Sequence, residues 1–463
     1  MITYIKIDGF KSFQKFEMAF TPLTIVAGIN ASGKSNLFDA LMLLSKLAEA
    51  DKLQSAFKEQ RGDLVELFTR FDDQNSATEM EFVVEMLVDK KIKDSWGGKA
   101  ELKYTRLRYE LKLHRFINDS GLDDLEVISE RLENLKHNDD KWIKLIPKNK
   151  IEIWRPKVDL GKRGVPYIFT EQINGISTVI VPQDGTGGKR HFPLKNASKT
   201  VLSSFDTVDF RHILAAKEEM KSWRFLQLNP EDLRQPTNKK TMEDTISSSG
   251  QNLAAALFRI KQNDPYSLVE LSRKINKFLP NFTDINVVDD KENKQFIIIL
   301  RGEDGKEFTS KVLSEGTLRL LLFCILEYDE KFQGLICFEE PENGIHPFKM
   351  KSLANLLKNL TTDFVNTDYP LRQLLINTHS PKLLNEIKAL ENNQNVSVQF
   401  SQMRSKITEI GGVKKKINIT KITPVILENS FQTNIPYSEQ DQKFALSAIN
   451  QYLQTEEFEI AQS

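Results

Sequence analysis

One stretch, Gly28-Ile-Asn-Ala-Ser-Gly33-Lys34-Ser35, constrains this chain more than any other. It satisfies the pattern G-x-x-x-x-G-K-[ST] in full, between an apolar run at Leu23 to Ala27 and an amphipathic stretch from Asn36 onward. That is the strand–loop–helix setting in which such a loop wraps phosphates. The glycines let successive backbone N–H groups turn inward, and the following helix adds partial positive charge at its N-terminus. Gly28, Asn30, Ala31, Ser32, Gly33, Lys34, Ser35 and Asn36 are therefore the expected nucleotide-binding residues. Lys34 can reach β- and γ-phosphates, and the Ser35 hydroxyl can ligate Mg²⁺. A chain with this loop is expected to fold as an α/β protein and to take ATP with Mg²⁺.

Composition removes several other classes. At 463 residues, 40% hydrophobic and 28% charged, the chain has ample core material. Its 64 basic residues balance 64 acidic ones, so no global field attracts a polyanion or an anionic membrane. DNA or RNA contact, if present, has to come from a local patch. No apolar run approaches the ~20 residues of a spanning helix, and MITYIKIDGF lacks a signal-peptide core. Cys324 and Cys337 stand alone in apolar stretches, which fits a reducing cytoplasmic setting and no cysteine-based metal site.

Periodicity divides the chain into five segments. Residues 1–118 read as strands around the phosphate loop followed by two strands of period two, expected to form an antiparallel sheet with one wet face. In the second of these, Arg106, Arg108 and Lys112 are expected on the wet face opposite Glu81 and Glu85, as cross-strand ion pairs. Residues 119–207 read as an irregular β-rich insertion, 208–290 as helical, 291–390 as a second α/β lobe and 391–463 as strands with a helical tail. No heptad run is long enough for a coiled-coil arm.

The second lobe carries the remaining candidates. Gly334-Leu-Ile-Cys-Phe-Glu339-Glu340-Pro341 is an apolar strand ending in two carboxylates, which repel each other unless a cation or water network lies between. Successive strand residues point opposite ways, so Glu339 is expected at the Mg²⁺ and Glu340 at the attacking water. Leu374-Leu-Ile-Asn-Thr-His379 is another such strand, and His379 is a candidate γ-phosphate sensor; His346 is expected to close the turn after the carboxylates. Leu313-Ser314-Glu315-Gly316-Thr317 opens a long apolar helix whose N-terminus is a second anion site. Lys189, Arg190, His191, Lys195 and Lys199, and separately Lys414, Lys415 and Lys416, are the basic groups open to nucleic acid.

Taken in order, GFKSF at 9–13, GINASGKSN, LSEGT, FEEPENGIHP and NTHSP resemble the ABC-type ATPases of the SMC, RecF and OLD group. The resemblance implies a bipartite ATPase head: a P-loop NTPase with a mixed central sheet, an antiparallel β subdomain and, here, an inserted irregular and helical region without a long coiled coil. It further implies a homodimer, or higher even-numbered oligomer, with ATP sandwiched between the Walker A loop of one subunit and Ser314, Glu315 and Gly316 of the other. Lys34, Glu340 and His379 then carry catalysis, while Ser35 and Glu339 hold the metal. Either Gln60 or Gln74 is open as the Q-loop glutamine. Glu339 stands where many members have Asp, and neither a zinc hook nor an OLD-type nuclease domain is legible. What is left looks like the standalone ATPase subunits of bacterial anti-phage systems such as Septu and PARIS, which work with a separately encoded effector protein. A RecF/SMC-like DNA repair ATPase and a transporter engine are the alternatives.

Overall fold

The computed structural model describes residues 1–72, 74–156, 165–184, 188–240, 243–366, 371–390, 394–410, 413–425 and 439–460. From the N-terminus, β1 (Ile2–Asp8), β2 (Phe16–Ala19) and β3 (Leu23–Ala27) lead into α1 (Lys34–Leu47). β1 and β2 join β4 (Glu79–Leu87), β7 (Arg106–Ile117) and β8 (Asp123–Asn134) in an antiparallel sheet of order β2-β1-β4-β7-β8. Between β4 and β7 a small ribbon, β5 (Lys91–Lys93) with β6 (Lys99–Glu101), projects from the lobe. The alternation written into β4 and β7 is realised: Met80, Phe82, Val84 and Met86 meet Leu107, Tyr109, Leu111 and Leu113 in one core.

The wet face differs from expectation at one residue. Arg108 pairs with Glu85 at 3.1 Å and Lys112 with Glu79, but Arg106 is only 1% exposed. Its guanidinium donates to both oxygens of Asp140 and to the Thr3 hydroxyl, and Arg155 shares the same carboxylate. A charge this deep is tolerable only because every face of it is paired. Period-two reading assigns a face but cannot see an acid thirty-four residues away in sequence.

The segment after residue 118 starts inside this sheet, because β7 and β8 form one hairpin that turns at 118–122. Then come a three-stranded sheet of β9 (Phe169–Ile173), β10 (Ile176–Pro182) and β11 (Lys189–Pro193), and helix α2 (Arg211–Lys221). Helices α3 (Leu253–Asn263) and α4 (Tyr266–Phe278) pack on a separate antiparallel sheet made by β13 (Thr237–Asn238), β14 (Phe282–Asp290), β15 (Gln295–Gly302) and β16 (Glu307–Thr309).

The central sheet draws its strands from across the chain. Its order is β12-β17-β18-β3-β19-β20, with β12 (Arg224–Leu226), β17 (Gly334–Glu339), β18 (Arg372–Thr378), β19 (Val396–Ile410) and β20 (Val413–Pro424). All neighbours are parallel except the β19–β20 hairpin. β3, β17 and β18 are buried along almost their whole length because helices or the first lobe cover both faces: α1 lies on one side, and α5 (Glu315–Tyr328), α6 (Met350–Asn359) and α7 (Pro381–Lys388) lie on the other. The fold is thus a mixed α/β architecture with an antiparallel β subdomain, and no long coiled coil occurs among the described residues.

Candidate functional site

The site lies at the C-terminal edge of the central sheet, where β3, β17 and β18 all end. The loop after β3 has the backbone a phosphate cradle requires: Gly28 at φ 153°, Ala31 at 60° and Gly33 at 88°. Gly33 resists substitution, since an added Cβ would lie 1.8 Å from Thr420 Oγ1 and the new residue would have to hold a left-handed φ. Lys34 is buried, and its ammonium donates to the carbonyls of Gly28 and Ile29 at 2.6 and 2.8 Å. Burial lowers its pKa, while Glu340 and Glu339 act in the opposite sense, so the three residues share one electrostatic neighbourhood.

Parallel register brings the rest into line. Glu339 lies opposite Asn377, and Asn377 opposite Val26, which in turn lies opposite Gln399. Ser32 Oγ, Asn377 Oδ1 and Gln399 Oε1 are buried there without a hydrogen-bond partner among the described residues. Orphaned polar atoms around a phosphate cradle fit a polar, hydrated ligand and its metal. Glu340 takes φ 50°, a left-handed conformation that costs a non-glycine residue about 1–3 kcal/mol. Its backbone N–H is fixed by Asn377 O at 2.8 Å and its carboxylate by the Asn343 amide at 2.7 Å. The other carboxylate oxygen lies 2.9 Å from His379 Nδ1. Glu340 and His379 therefore form one unit across two strands, a pairing that strand reading placed at one edge but could not join. Behind them the Thr378 hydroxyl donates to Glu342 at 2.5 Å, and burial raises the pKa of Glu342. His346 closes the following turn, its Nδ1 accepting the Phe348 N–H at 3.4 Å.

The helix tip at Ser314 belongs to the same face. Ser314 is the exposed N-cap of α5, and its Oγ accepts the Thr317 N–H. Gly316 packs so tightly on Gly344, in the turn after the carboxylates, that a Cβ would lie 2.2 Å from the Gly344 carbonyl oxygen. The Glu315 carboxylate is taken by Arg319, which donates to it from Nε and from a terminal nitrogen at 3.0 and 2.9 Å. What the tip presents outward is thus the serine and helix N–H groups, with that negative charge compensated. Val312 and Phe348 are exposed large apolar residues at either side of this contact.

Three features escaped sequence reading. Gln227 directly follows β12, whose register ends with Leu226 opposite Phe338, the residue before Glu339; Gln74 is exposed and donates its N–H to Asp72, and Gln60 is buried. Arg61 is tied to Asp39 of α1 together with Lys11, and the hydrogen bond to Asp39 raises its pKa with a smaller contribution from Glu339, so it too borders the site. Last, the β19–β20 hairpin clasps the phosphate loop: Ser401 Oγ donates to Ser32 O, and Thr420 Oγ1 bonds Ser12 Oγ, which accepts from Asn36. Only the pairing of distant strands could have shown these.

Comparison with known proteins decides the family. The AAA ATPase domain family matches residues 1–384. The chain belongs to this family. No curated protein matches it. Among solved structures, an SMC head bound to the C-winged helix domain of ScpA is 13% identical at TM-score 0.48, over 90% of this chain and 98% of that one. The SMC head domain from Thermotoga maritima is 12% identical at TM-score 0.38, over 92% and 99%. An Smc head with an extended coiled coil, bound to the C-terminal domain of ScpA derived from Pyrococcus furiosus, is 12% identical at TM-score 0.39, over 90% and 96%. Nucleotide binding is the chemistry that an AAA ATPase domain implies. No described helix is long and apolar enough to cross a membrane.

Proposed function

We propose that this chain is a Mg²⁺-dependent ATPase whose heads associate on ATP and separate after hydrolysis. The observation that carries the reading is the Glu340–His379 pair, 2.9 Å apart with Glu340 at a left-handed φ, at the same strand edge as Lys34. Gly28 to Asn36 hold the triphosphate through backbone N–H groups. Ser35 and Glu339 are the residues that would hold Mg²⁺, which when bound neutralises charge on the β- and γ-phosphates. Glu340 orients the attacking water and takes its proton, and His379 fixes that carboxylate while facing the terminal phosphate. Gln227 and Arg61 flank the metal side and the transferred group. Ser314 and the Gly316 backbone serve a second copy's nucleotide, which accounts for the exposure of Ser314; Glu315 acts through its contact with Gly344.

In the cell such a cycle suits a cytoplasmic regulator that holds a separately encoded effector, as in anti-phage defence. Glu340→Gln tests the core: with ATP it should accumulate as a stable dimer by light scattering, with turnover down ~10²-fold or more. A Glu340→Gln protein that binds ATP yet stays monomeric at micromolar concentration overturns the sandwich.

A further inference from the structure

The β5–β6 ribbon carries a cost that nothing in the fold offsets. A two-stranded ribbon is marginal by itself, and here Lys93 lies directly opposite Lys99. Like charges in that position destabilise the pair. Lys91, two residues along, shares their face, and the neighbouring Glu101 is already held by Lys90 at 2.7 Å. Lys93 and Lys99 have no ion-pair partner among the described residues. Ile92, on the opposite face, packs towards the core of the first lobe, so the lysine face is the outer one.

The tip is built rather than slack. Asp94 accepts the N–H groups of Trp96 and Gly98 at 3.0 and 2.7 Å, and Gly97 takes φ 89°. The other oxygen of Asp94 accepts the Val208 N–H, tying the turn to the body. This fixed turn holds Trp96 out to solvent, 74% exposed, whereas Trp142 and Trp223 are buried. An indole left in water at the end of a rigid, cationic ribbon has no structural use in the fold. Two residues beyond Val208, Phe210 lies under the Arg190 guanidinium, so the basic strand β11 adjoins the same side.

We propose that the β5–β6 ribbon is a single-stranded nucleic-acid site, with Trp96 stacking on a base and Lys91, Lys93 and Lys99 meeting the flanking phosphates. A duplex buries its base faces, so only an unpaired strand uses both halves of this arrangement. The site is independent of the ATPase reading, because none of its residues touches the phosphate loop.

The test titrates the full chain into a fluorescein-labelled oligothymidylate long enough to cover a typical site, reading affinity from fluorescein anisotropy in every variant and stacking from indole emission in the parent. Binding should quench Trp96, and Trp96→Ala should weaken affinity by ~5–150-fold while leaving basal ATP turnover and Tm unchanged. Lys93→Ala/Lys99→Ala should cut the slope of log K against log salt by about 1.4. Three results overturn the proposal: unchanged affinity in Trp96→Ala, equal affinity for a duplex without quenching, or an indole blue shift with anionic phospholipid vesicles and no oligothymidylate binding.

Discussion

Two helix N-termini in this protein are flanked by glycine, and as the proposed phosphate sites they are finished to different degrees. The tip of α1 is enclosed: the β19–β20 hairpin supports its loop from below, Lys34 folds onto the loop carbonyls, and Glu339 with Glu340 closes one side. The tip of α5 has its charge balanced by Arg319 and its glycine locked on Gly344, but Ser314 is exposed and Phe348 beside it is 92% exposed. The first is a cradle complete within one chain. In the proposed reading the second is half of a site, packed on its inner side and exposed on its outer one. That contrast is the physical content of the proposed ATP-driven association, and it can be broken from either end.

The largest effect belongs to the enclosed tip. Lys34→Ala removes the ammonium that would neutralise the phosphates, and nucleotide affinity by calorimetry should fall at least ~10²-fold; retained affinity removes the cradle assignment altogether. Ser314→Arg acts on the open tip alone. It should abolish the ATP-dependent mass increase while leaving monomer affinity within about threefold, since the new bulk meets only a second copy. If Ser314→Arg weakens ATP binding by the isolated chain as strongly as Lys34→Ala does, the two tips are not different in kind.

How much of this difference could be read in advance depends on how local each interaction is. The phosphate loop is a single continuous stretch, so its residues were legible together. β17 and β18 were legible because strands buried on both faces read as unbroken apolar runs. By contrast β12 is only three residues long, with no periodicity to betray it, so Gln227 was invisible although it follows the partner of Phe338. Arg106 was assigned to water because alternation reports the face of a strand and not whether that face is later covered by Asp140 and Trp142. The support of Gly33 by Thr420 spans most of the chain, and no spacing rule reaches that far.

A smaller effect sharpens the role of that support. Gly33→Ala adds a methyl against Thr420 and holds a strained φ, which should cost about 1–3 kcal/mol and lower Tm by a few degrees. Thr420→Ala in the same chain should recover part of the loss; no recovery would mean that backbone strain alone is responsible.

The smallest expected change lies away from both tips and serves as the control. Glu130 is fully buried, and desolvation raises its pKa to about 7 despite hydrogen bonds from Val201, Leu202 and Tyr109. A folded carboxyl that holds its proton more tightly than the unfolded one makes stability fall as pH rises from about 4.5 through 7. Tm should therefore decline across that window in the parent protein and decline less in Glu130→Gln, with ATP binding unaffected by the substitution. Parallel curves for the two proteins would show that Glu130 stays ionised throughout.

The position of β19 in the central sheet has a consequence for synthesis. A ribosome makes the phosphate loop well before the strand that lies beside β3 emerges with the serine that pins the loop from beneath, because Ser401 follows Ser32 by 369 residues. Until then the loop has no floor. If the loop takes nucleotide only when it is supported, binding competence in a growing chain has to wait for β19.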